Sequence, residues 1–179
     1  MDPLEFHREA LGVAQQVIDA VDPCQFQLPT PCDEWNVRQL VEHMIAGNRR
    51  IADDPPAEGE DVIGADVSAS YAAAAAKAAA TFEAPGGLDG TFKLSFGEVP
   101  GQVAVVARAT DQLAHSWDLP KATGMSTDLS PAMYITGLEV LRQRFAKFGR
   151  NPVTYADEQQ ASVGASAADR FAAFAGRRT

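Results

Sequence analysis

The sequence predicts an all-α fold, because helical patterns account for most of its 179 residues. Apolar residues recur at intervals of three or four in several segments, which is the spacing of one helix face. Only one short stretch alternates apolar and polar residues as a strand does, and a single isolated strand cannot form a sheet. Hydrophobic residues make up 46% of the chain and no internal boundary divides it. We therefore expect one domain over residues 1–179.

Three helices are expected in the first half of the chain. The first covers about residues 3–21, and Asp2 precedes it as an N-cap. The second follows its capping residue Asn36 and reaches about residue 52, where an acidic loop begins. The third covers about residues 66–84 and contains an alanine-rich run, which favours a helix because alanine has the highest helix propensity.

The second half adds two long helices and one short one. The expected elements are an extended segment at 92–96, helices at about 100–119, 131–148 and 167–175, and an extended tail at 150–165. Pro120 is expected to end or kink the fourth helix, since it lacks an amide hydrogen. Ser130 is positioned to cap the fifth helix. In the last helix, Phe171 and Phe174 are spaced to pack back on the other helices.

Composition excludes several classes of function. The 15 Lys and Arg residues stand against 24 Asp and Glu residues, a net charge of −9, which disfavours binding to nucleic acid or to anionic membrane surfaces. No apolar run is long enough to cross a bilayer, and Asp2, Glu5 and Glu9 interrupt any signal peptide. Cys24 and Cys32 do not form a disulfide framework. Together these features predict a cytoplasmic protein.

Three residues have the chemistry and the spacing of a metal site. Asp111 and His115 lie four residues apart in the fourth predicted helix, so their side chains project from one face. His43 lies beside the apolar stripe of the second predicted helix, and the three groups meet if these helices pack together. Two imidazoles and one carboxylate suit zinc, iron, nickel or manganese and leave a coordination position open. Two alternatives remain: Arg108 pairs with Asp111, or His115 is a hydrogen-bonded core histidine.

Two nearby side chains have less specific patterns. Asp118 shares the face of His115, where it either orients that ligand or forms a salt bridge with Arg38 of the second helix, and the salt bridge is preferred. Cys32 precedes the second helix, but Asp33 and Glu34 beside it oppose thiolate formation, so an inert thiol is expected.

Other residues are assigned to the core or to the surface. Trp35 and Trp117 are expected to anchor the core, with lining of a pocket as the alternative role. His7 is expected to be partly exposed on the face of the first helix. Arg177 and Arg178 are expected to be solvated charges of the tail.

Two motifs resemble a known protein family. Residues 30–43, with the sequence TPCDEWNVRQLVEH, resemble the loop and second helix of the DinB-like superfamily. They are more closely similar to the metal-binding domain of mycothiol-dependent maleylpyruvate isomerases. Residues 111–119, DQLAHSWDL, are similar to that family's acid-x-x-x-His-x-Trp-Asp-Leu helix, and residues 168–176 resemble the end of its short, single-domain members. The likeness extends over nearly the whole chain.

The resemblance implies both a fold and a cofactor. The fold is a DinB-like four-helix bundle, here with an extra C-terminal helix and short extended segments, around a central divalent metal. The implied ligands are His43, Asp111 and His115, with zinc preferred over nickel, iron or manganese. The family isomerases have glutamate where this chain has Asp111, whose side chain is one methylene shorter. They also carry a further C-terminal domain for which these residues leave no room, so a reaction other than maleylpyruvate isomerisation is expected.

Three functions remain open at this point. The first is a metal-dependent transferase or isomerase-like enzyme, in which a low-molecular-weight thiol such as mycothiol is activated as a thiolate and attacks an electrophilic substrate. The second is a non-catalytic module that binds a metal or a small ligand. The third is a metal-free interaction domain. The exposed helix faces are compatible with a homodimer, and the sequence does not indicate which face would pair.

Overall fold

The computed structural model describes residues 1–32, 35–152 and 154–179, and the predicted all-α class is confirmed. Asp33 and Glu34, which were expected to oppose ionisation of Cys32, lie outside the described residues. In the part of the chain that is described, the elements are α1 Pro3–Asp19, a 3₁₀ turn Pro23–Gln25, α2 Val37–Ile51, α3 Val67–Glu83, β1 Thr91–Leu94, β2 Gly97–Pro100, α4 Gly101–Thr123, α5 Pro131–Phe148 and α6 Ala167–Phe174.

The first four helices pack as a bundle, and α5 and α6 pack together beside it. Helix α1 packs against α3 and α4, and α2 packs against the same two helices from the other side. Helices α5 and α6 contact each other and α4. Helix α4 is thus the one long element that all these layers share, and most of its residues from Ala104 to Pro120 are buried. A side chain on α4 can therefore meet groups from every other helix layer.

Two of the three predicted side-chain caps are present. The Asp2 carboxylate accepts hydrogen bonds from the amides of Leu4 and Glu5, and Asn36 forms a capping box with Gln39. Ser130 precedes α5, but its side chain makes no capping hydrogen bond, so that predicted cap is wrong.

The extended segment is half of a β-hairpin, and the expectation of a lone strand is wrong. Strands β1 and β2 pair antiparallel, with Phe92 opposite Val99. Phe92 also packs against Phe82 of α3, with ring centroids 5.0 Å apart. The second strand, Gly-Glu-Val-Pro, lacks alternating apolar residues, so only its pairing with β1 makes it a strand.

Helix α4 does not end at Leu119. Pro120 lies inside the helix and is buried, and the helix continues to Thr123, where Gly124 closes it with φ of 77°. Proline removes one helical hydrogen bond, but Leu119 and Trp117 are both fully buried, and this packing keeps the segment helical.

The buried face of α1 is wider than its main apolar stripe. His7 is only 1% exposed, so the prediction of a partly exposed residue is wrong. Its ring packs edge-on against Phe82, with centroids 5.1 Å apart. Helix α1 contacts both α3 and α4, which covers positions beside the stripe as well.

Trp117 is buried, and Phe171 packs against Tyr134, as expected of core anchors. Within the described residues, no helix is both long enough and apolar enough to cross a bilayer.

Candidate metal centre

The three residues with predicted metal-binding chemistry meet between α2 and α4. His43 Nε2 lies 3.7 Å from Asp111 Oδ2, and His115 Nε2 lies 3.5 Å from Asp111 Oδ1. One ligand atom from each of the three residues lies within 4.8 Å of the other two. The two imidazole rings are nearly perpendicular, with centroids 5.0 Å apart. Two nitrogen atoms and a carboxylate thus converge on one small volume.

The geometry follows from two regular helices. Asp111 and His115 lie one turn apart on α4, so both project toward α2. His43 projects from the middle of α2, whose buried residues Leu40, Val41 and Met44 fix its rotation in the bundle.

His43 is held by an aromatic neighbour and has a nitrogen without a partner. Trp35 stacks on its ring with centroids 4.5 Å apart. His43 Nε2 is buried and has no hydrogen-bond partner among the described residues. Burial lowers the pKa of His43 below its usual value, although Asp111 opposes the shift. The ring is therefore neutral near pH 7, and a neutral imidazole is the form that binds a metal.

His115 is oriented by a carboxylate behind it. Its Nδ1 lies 2.9 Å from Asp118 Oδ2, and because a carboxylate only accepts, Nδ1 carries the donated hydrogen. His115 Nε2 therefore points toward Asp111 and His43. Burial opposes a charge on His115, but the Asp111 and Asp118 carboxylates raise its pKa well above the usual value. With this raised pKa His115 carries a proton on Nε2 as well, so a cation binding there would take the place of that proton. A carboxylate–histidine pair of this kind is the usual support of a metal-bound histidine.

Asp118 pairs with Arg177 instead of Arg38, and this overturns two predictions. Arg177 donates from Nε to Asp118 Oδ1 at 3.1 Å and from Nη2 to Oδ2 at 2.9 Å. Arg38 instead bonds Glu42 and Asp61 at the surface. Arg177 is not a solvated tail charge, since its side chain is 13% exposed, whereas Arg178 is exposed as expected. Arg177 lies 59 positions after Asp118, and no local pattern links the two.

Arg108 forms a salt bridge with Asp111, which was one of the alternatives predicted. Its Nη1 donates to Asp111 Oδ2 at 2.8 Å, and its Nη2 donates to Asn48 Oδ1 at 3.0 Å. Burial acts to raise the pKa of Asp111, but Arg108 and His115 hold it well below the usual value. Gly47 makes room for the guanidinium, because a Cβ there would lie 2.6 Å from both terminal nitrogens.

The separations of these atoms match the size of a coordination shell. Zinc–nitrogen bonds of roughly 2.0–2.1 Å place two ligands of a tetrahedral ion about 3.3 Å apart. The observed nitrogen–oxygen separations are close to that value, with His115 Nε2 3.5 Å from Asp111 Oδ1 and His43 Nε2 3.7 Å from the other oxygen, Oδ2. His43 Nε2 is buried beside them without a hydrogen-bond partner among the described residues. These residues therefore fit a divalent cation, and the shorter Asp111 side chain reaches both histidines.

Cys32 lies beside the three residues. Its Sγ lies 3.3 Å from Asp118 Oδ2 and 4.0 Å from His115 Nδ1. Cys32, His115 and Asp118 form a second group with metal-ligand spacing. That group would use His115 Nδ1, which already donates to Asp118, so the group containing His43 has the better-prepared donor atoms.

The candidate centre, formed by His43, Asp111 and His115, lies in the wall of a cavity of about 880 Å³. Around the candidate centre its wall includes Trp35, His43, Arg108, Asp111, His115 and Arg177. The side chains of His43 and Asp111 are 30% and 22% exposed, so a small molecule can approach them. Trp35 therefore lines the cavity, which was the alternative role predicted for it.

Comparisons with known proteins agree with the family that the motifs resemble. The family described as mycothiol maleylpyruvate isomerase N-terminal domain matches residues 7–62, a segment that includes His43. Two proteins of Mycobacterium tuberculosis, from strains H37Rv and CDC 1551 and both named as uncharacterized, are each 40% identical over 184 residues. The match covers 99% of this chain and 98% of each relative. No solved structure matches the chain significantly.

Proposed function

Because the chain belongs to the mycothiol maleylpyruvate isomerase N-terminal domain family, in the DinB-like superfamily, we propose that it is a metal-dependent enzyme of thiol chemistry. His43, Asp111 and His115 hold a divalent cation, with zinc preferred over nickel, iron or manganese. A low-molecular-weight thiol such as mycothiol is the co-substrate, and an electrophilic small molecule is the second reactant. The reaction is a thiol transfer or an isomerisation that proceeds through a thiol adduct.

The observation that carries this proposal is the buried His43 Nε2, which lacks a hydrogen-bond partner among the described residues. Leaving a buried polar atom unsatisfied costs about 1–3 kcal/mol, so such an atom calls for an explanation. A cation held by His43 Nε2, His115 Nε2 and the Asp111 carboxylate supplies one. Three protein ligands also leave coordination positions open toward the cavity, as catalytic sites require.

Each residue around the cation has a distinct task. When bound, the cation supplies the positive charge that keeps a thiol ionised at neutral pH. Asp118 fixes the ring orientation and tautomer of His115. Arg108 fixes the carboxylate of Asp111, and Trp35 covers one face of His43. The cavity beside these groups provides the volume in which a thiol and an electrophile meet.

The contact between Arg108 and Asp111 favours a second candidate, the metal-free interaction domain. The pair at 2.8 Å neutralises Asp111 without any cation. It occupies Oδ2, however, and Oδ1 still faces His115 Nε2 at 3.5 Å. The pair also leaves His43 Nε2 without a partner, which the metal site does not.

Metal analysis of the purified protein separates the two candidates. Protein isolated without added metal should contain close to one equivalent of a divalent ion, and both H43A and H115A should lose most of it. H7L is the matched control, because His7 is the third histidine and lies outside the cluster. Zinc at 100 times its Kd should stabilise the wild type by about 2.7 kcal/mol and the two cluster variants far less. Full metal content in both variants would exclude this site.

Catalysis is tested separately from metal binding. The metal-loaded protein should accelerate the consumption of mycothiol by a chromogenic electrophile such as a chlorodinitrobenzene, and H43A should abolish the acceleration. A non-catalytic binding module would retain the metal and bind the thiol without accelerating its consumption. That result would leave the metal site intact and exclude the enzyme.

A further inference from the structure

The charge of the large cavity is opposite to that of the chain. The whole sequence has 15 Lys and Arg residues against 24 Asp and Glu residues. Among the described residues that line the cavity, the only carboxylate is Asp111. The cationic residues of the same wall are Arg50, Lys93, Arg108, Arg144 and Arg177. A wall of this composition creates a local positive potential, which attracts anions.

Two of these cations are already neutralised, and three are not. Arg108 pairs with Asp111, and Arg177 pairs with the buried Asp118. In the described parts of the chain, Arg50, Lys93 and Arg144 make no ion pair with a carboxylate. The cavity therefore has positive charge that the protein itself does not balance, and a divalent cation at the candidate centre would add to it.

Arg144 is the most fixed of the three unpaired cations. It is half-buried, and its guanidinium carbon lies 4.8 Å from the ring centre of Phe96 and 5.9 Å from that of Tyr155. Tyr155 is itself buried and bonds Thr110, so it provides a rigid support. Contacts with aromatic rings use the face of a guanidinium and leave its N–H donors at the edge available.

A second unused polar group lies in the same wall. The Thr154 hydroxyl neighbours Tyr155 in sequence, and its Oγ1 is buried without a hydrogen-bond partner among the described residues. The guanidinium of Arg144 likewise makes no hydrogen bond within the described ranges. A planar fork of N–H donors together with a hydroxyl suits an oxyanion, because each oxygen of a carboxylate or phosphate accepts several hydrogen bonds.

We infer that Arg144 anchors an oxyanion of the electrophilic substrate, either a carboxylate or a phosphate, with the Thr154 hydroxyl elsewhere in the same cavity wall. The inference rests on the proposed function only in taking this cavity as the place of reaction. Arg144 comes from α5 and Thr154 from the segment after it, whereas the candidate metal ligands come from α2 and α4. The substrate would therefore be held at one part of the wall while its electrophilic carbon faces the thiol at another.

Binding of simple oxyanions to the intact protein tests this assignment. Succinate and inorganic phosphate serve as the two probes, and neutral succinamide serves as the uncharged control. Isothermal titration should detect one of the two anions, and R144Q should weaken its binding about tenfold or more, as expected for the loss of a charge-assisted hydrogen bond. R144K keeps the charge but not the fork and should also bind more weakly than the wild type.

R142Q is the matched control for the change in net charge. Arg142 lies on the same helix, is exposed, and stacks on Phe174 at 5.6 Å outside the cavity. Its replacement should leave anion affinity within twofold of the wild type. Equal losses of anion affinity in R142Q and R144Q would show that the general positive potential, and not Arg144 itself, attracts the anion, and this would overturn the anchor. Failure of both succinate and phosphate to bind would also overturn it. Full retention by R144K would overturn the role of the fork.

Failure of this inference is distinguishable from failure of the proposed function. The titrations are made on the protein as purified and after removal of metal with a chelator. Arg144-dependent binding that persists without metal supports the anchor even if the protein proves to be metal-free. Conversely, a full complement of metal with no anion binding retains the metal centre and overturns the anchor.

Discussion

His7 should destabilise the protein at mildly acidic pH, and H7L should remove that effect. The side chain is 1% exposed, and its Nε2 has no hydrogen-bond partner among the described residues. Burial, with the Arg108 guanidinium adding to it, lowers the pKa of His7 to about 3. The folded protein therefore keeps His7 neutral over a pH range in which an unfolded chain does not.

The sign and size of the effect follow from the two pKa values. In the unfolded chain His7 has an ordinary pKa of about 6.5, so it takes up a proton as the pH falls below that value. The folded state binds this proton only near pH 3. The free energy of unfolding therefore decreases as the pH is lowered from about 6.5 to about 3. Between about pH 7.5 and about pH 5 the difference amounts to about 2 kcal/mol.

Urea unfolding at the two pH values measures this contribution directly. The wild type should lose about 2 kcal/mol more than H7L between pH 7.5 and pH 5, with similar m-values. Groups common to both proteins cancel in this comparison, and a chelator in every sample removes any linkage to metal. Equal losses of stability in the two proteins would show that the buried His7 does not cause the loss.

Three further predictions concern the supports of the candidate centre and the core. G47A should destabilise the protein by about 1–3 kcal/mol in urea unfolding, because its Cβ would displace the Arg108 guanidinium, whereas G12A, whose Cβ meets nothing within 4 Å, should be neutral or stabilising. D118N should weaken zinc binding about 10- to 100-fold in chelator competition, and unchanged affinity would show that this carboxylate does not support His115. W117F should cost about 1–3 kcal/mol in thermal unfolding through loss of the bond to Asp169 at 2.8 Å, and an unaltered Tm would contradict it.

Regular local patterns made the helices and the three metal-binding candidates predictable. The pair Asp111 and His115 lies one turn apart on a single helix, so its geometry follows from helix periodicity alone. The position of His43 required knowledge of which helices pack together, and periodicity does not contain it. The family resemblance supplied that information, and the structure brings the three residues together.

The residues behind the candidate ligands were not predictable, because their partners are distant in sequence. Arg177 reaches Asp118 only after α6 has folded onto the rest of the protein, and an arginine near a chain end resembles any solvated charge. His7 and Pro120 follow the same principle, since tertiary packing decides their burial and overrides local preference. Strand β2 has no pattern of its own and depends on its partner strand.

The contacts around the candidate centre therefore also join segments that are distant in the sequence. Three segments contact one another directly at this point. They are the loop before α2 with Cys32, helix α4 with His115 and Asp118, and the residues after α6 with Arg177. Burying a charged pair such as Asp118 and Arg177 costs desolvation, and similar apolar residues are often as stable. Here the pair also makes hydrogen bonds, and the same Asp118 carboxylate orients His115. The orientation of His115 therefore depends on docking of the C-terminal segment, because Arg177 of that segment holds Asp118. A cation that binds His115 in this orientation should also stabilise the docked segment.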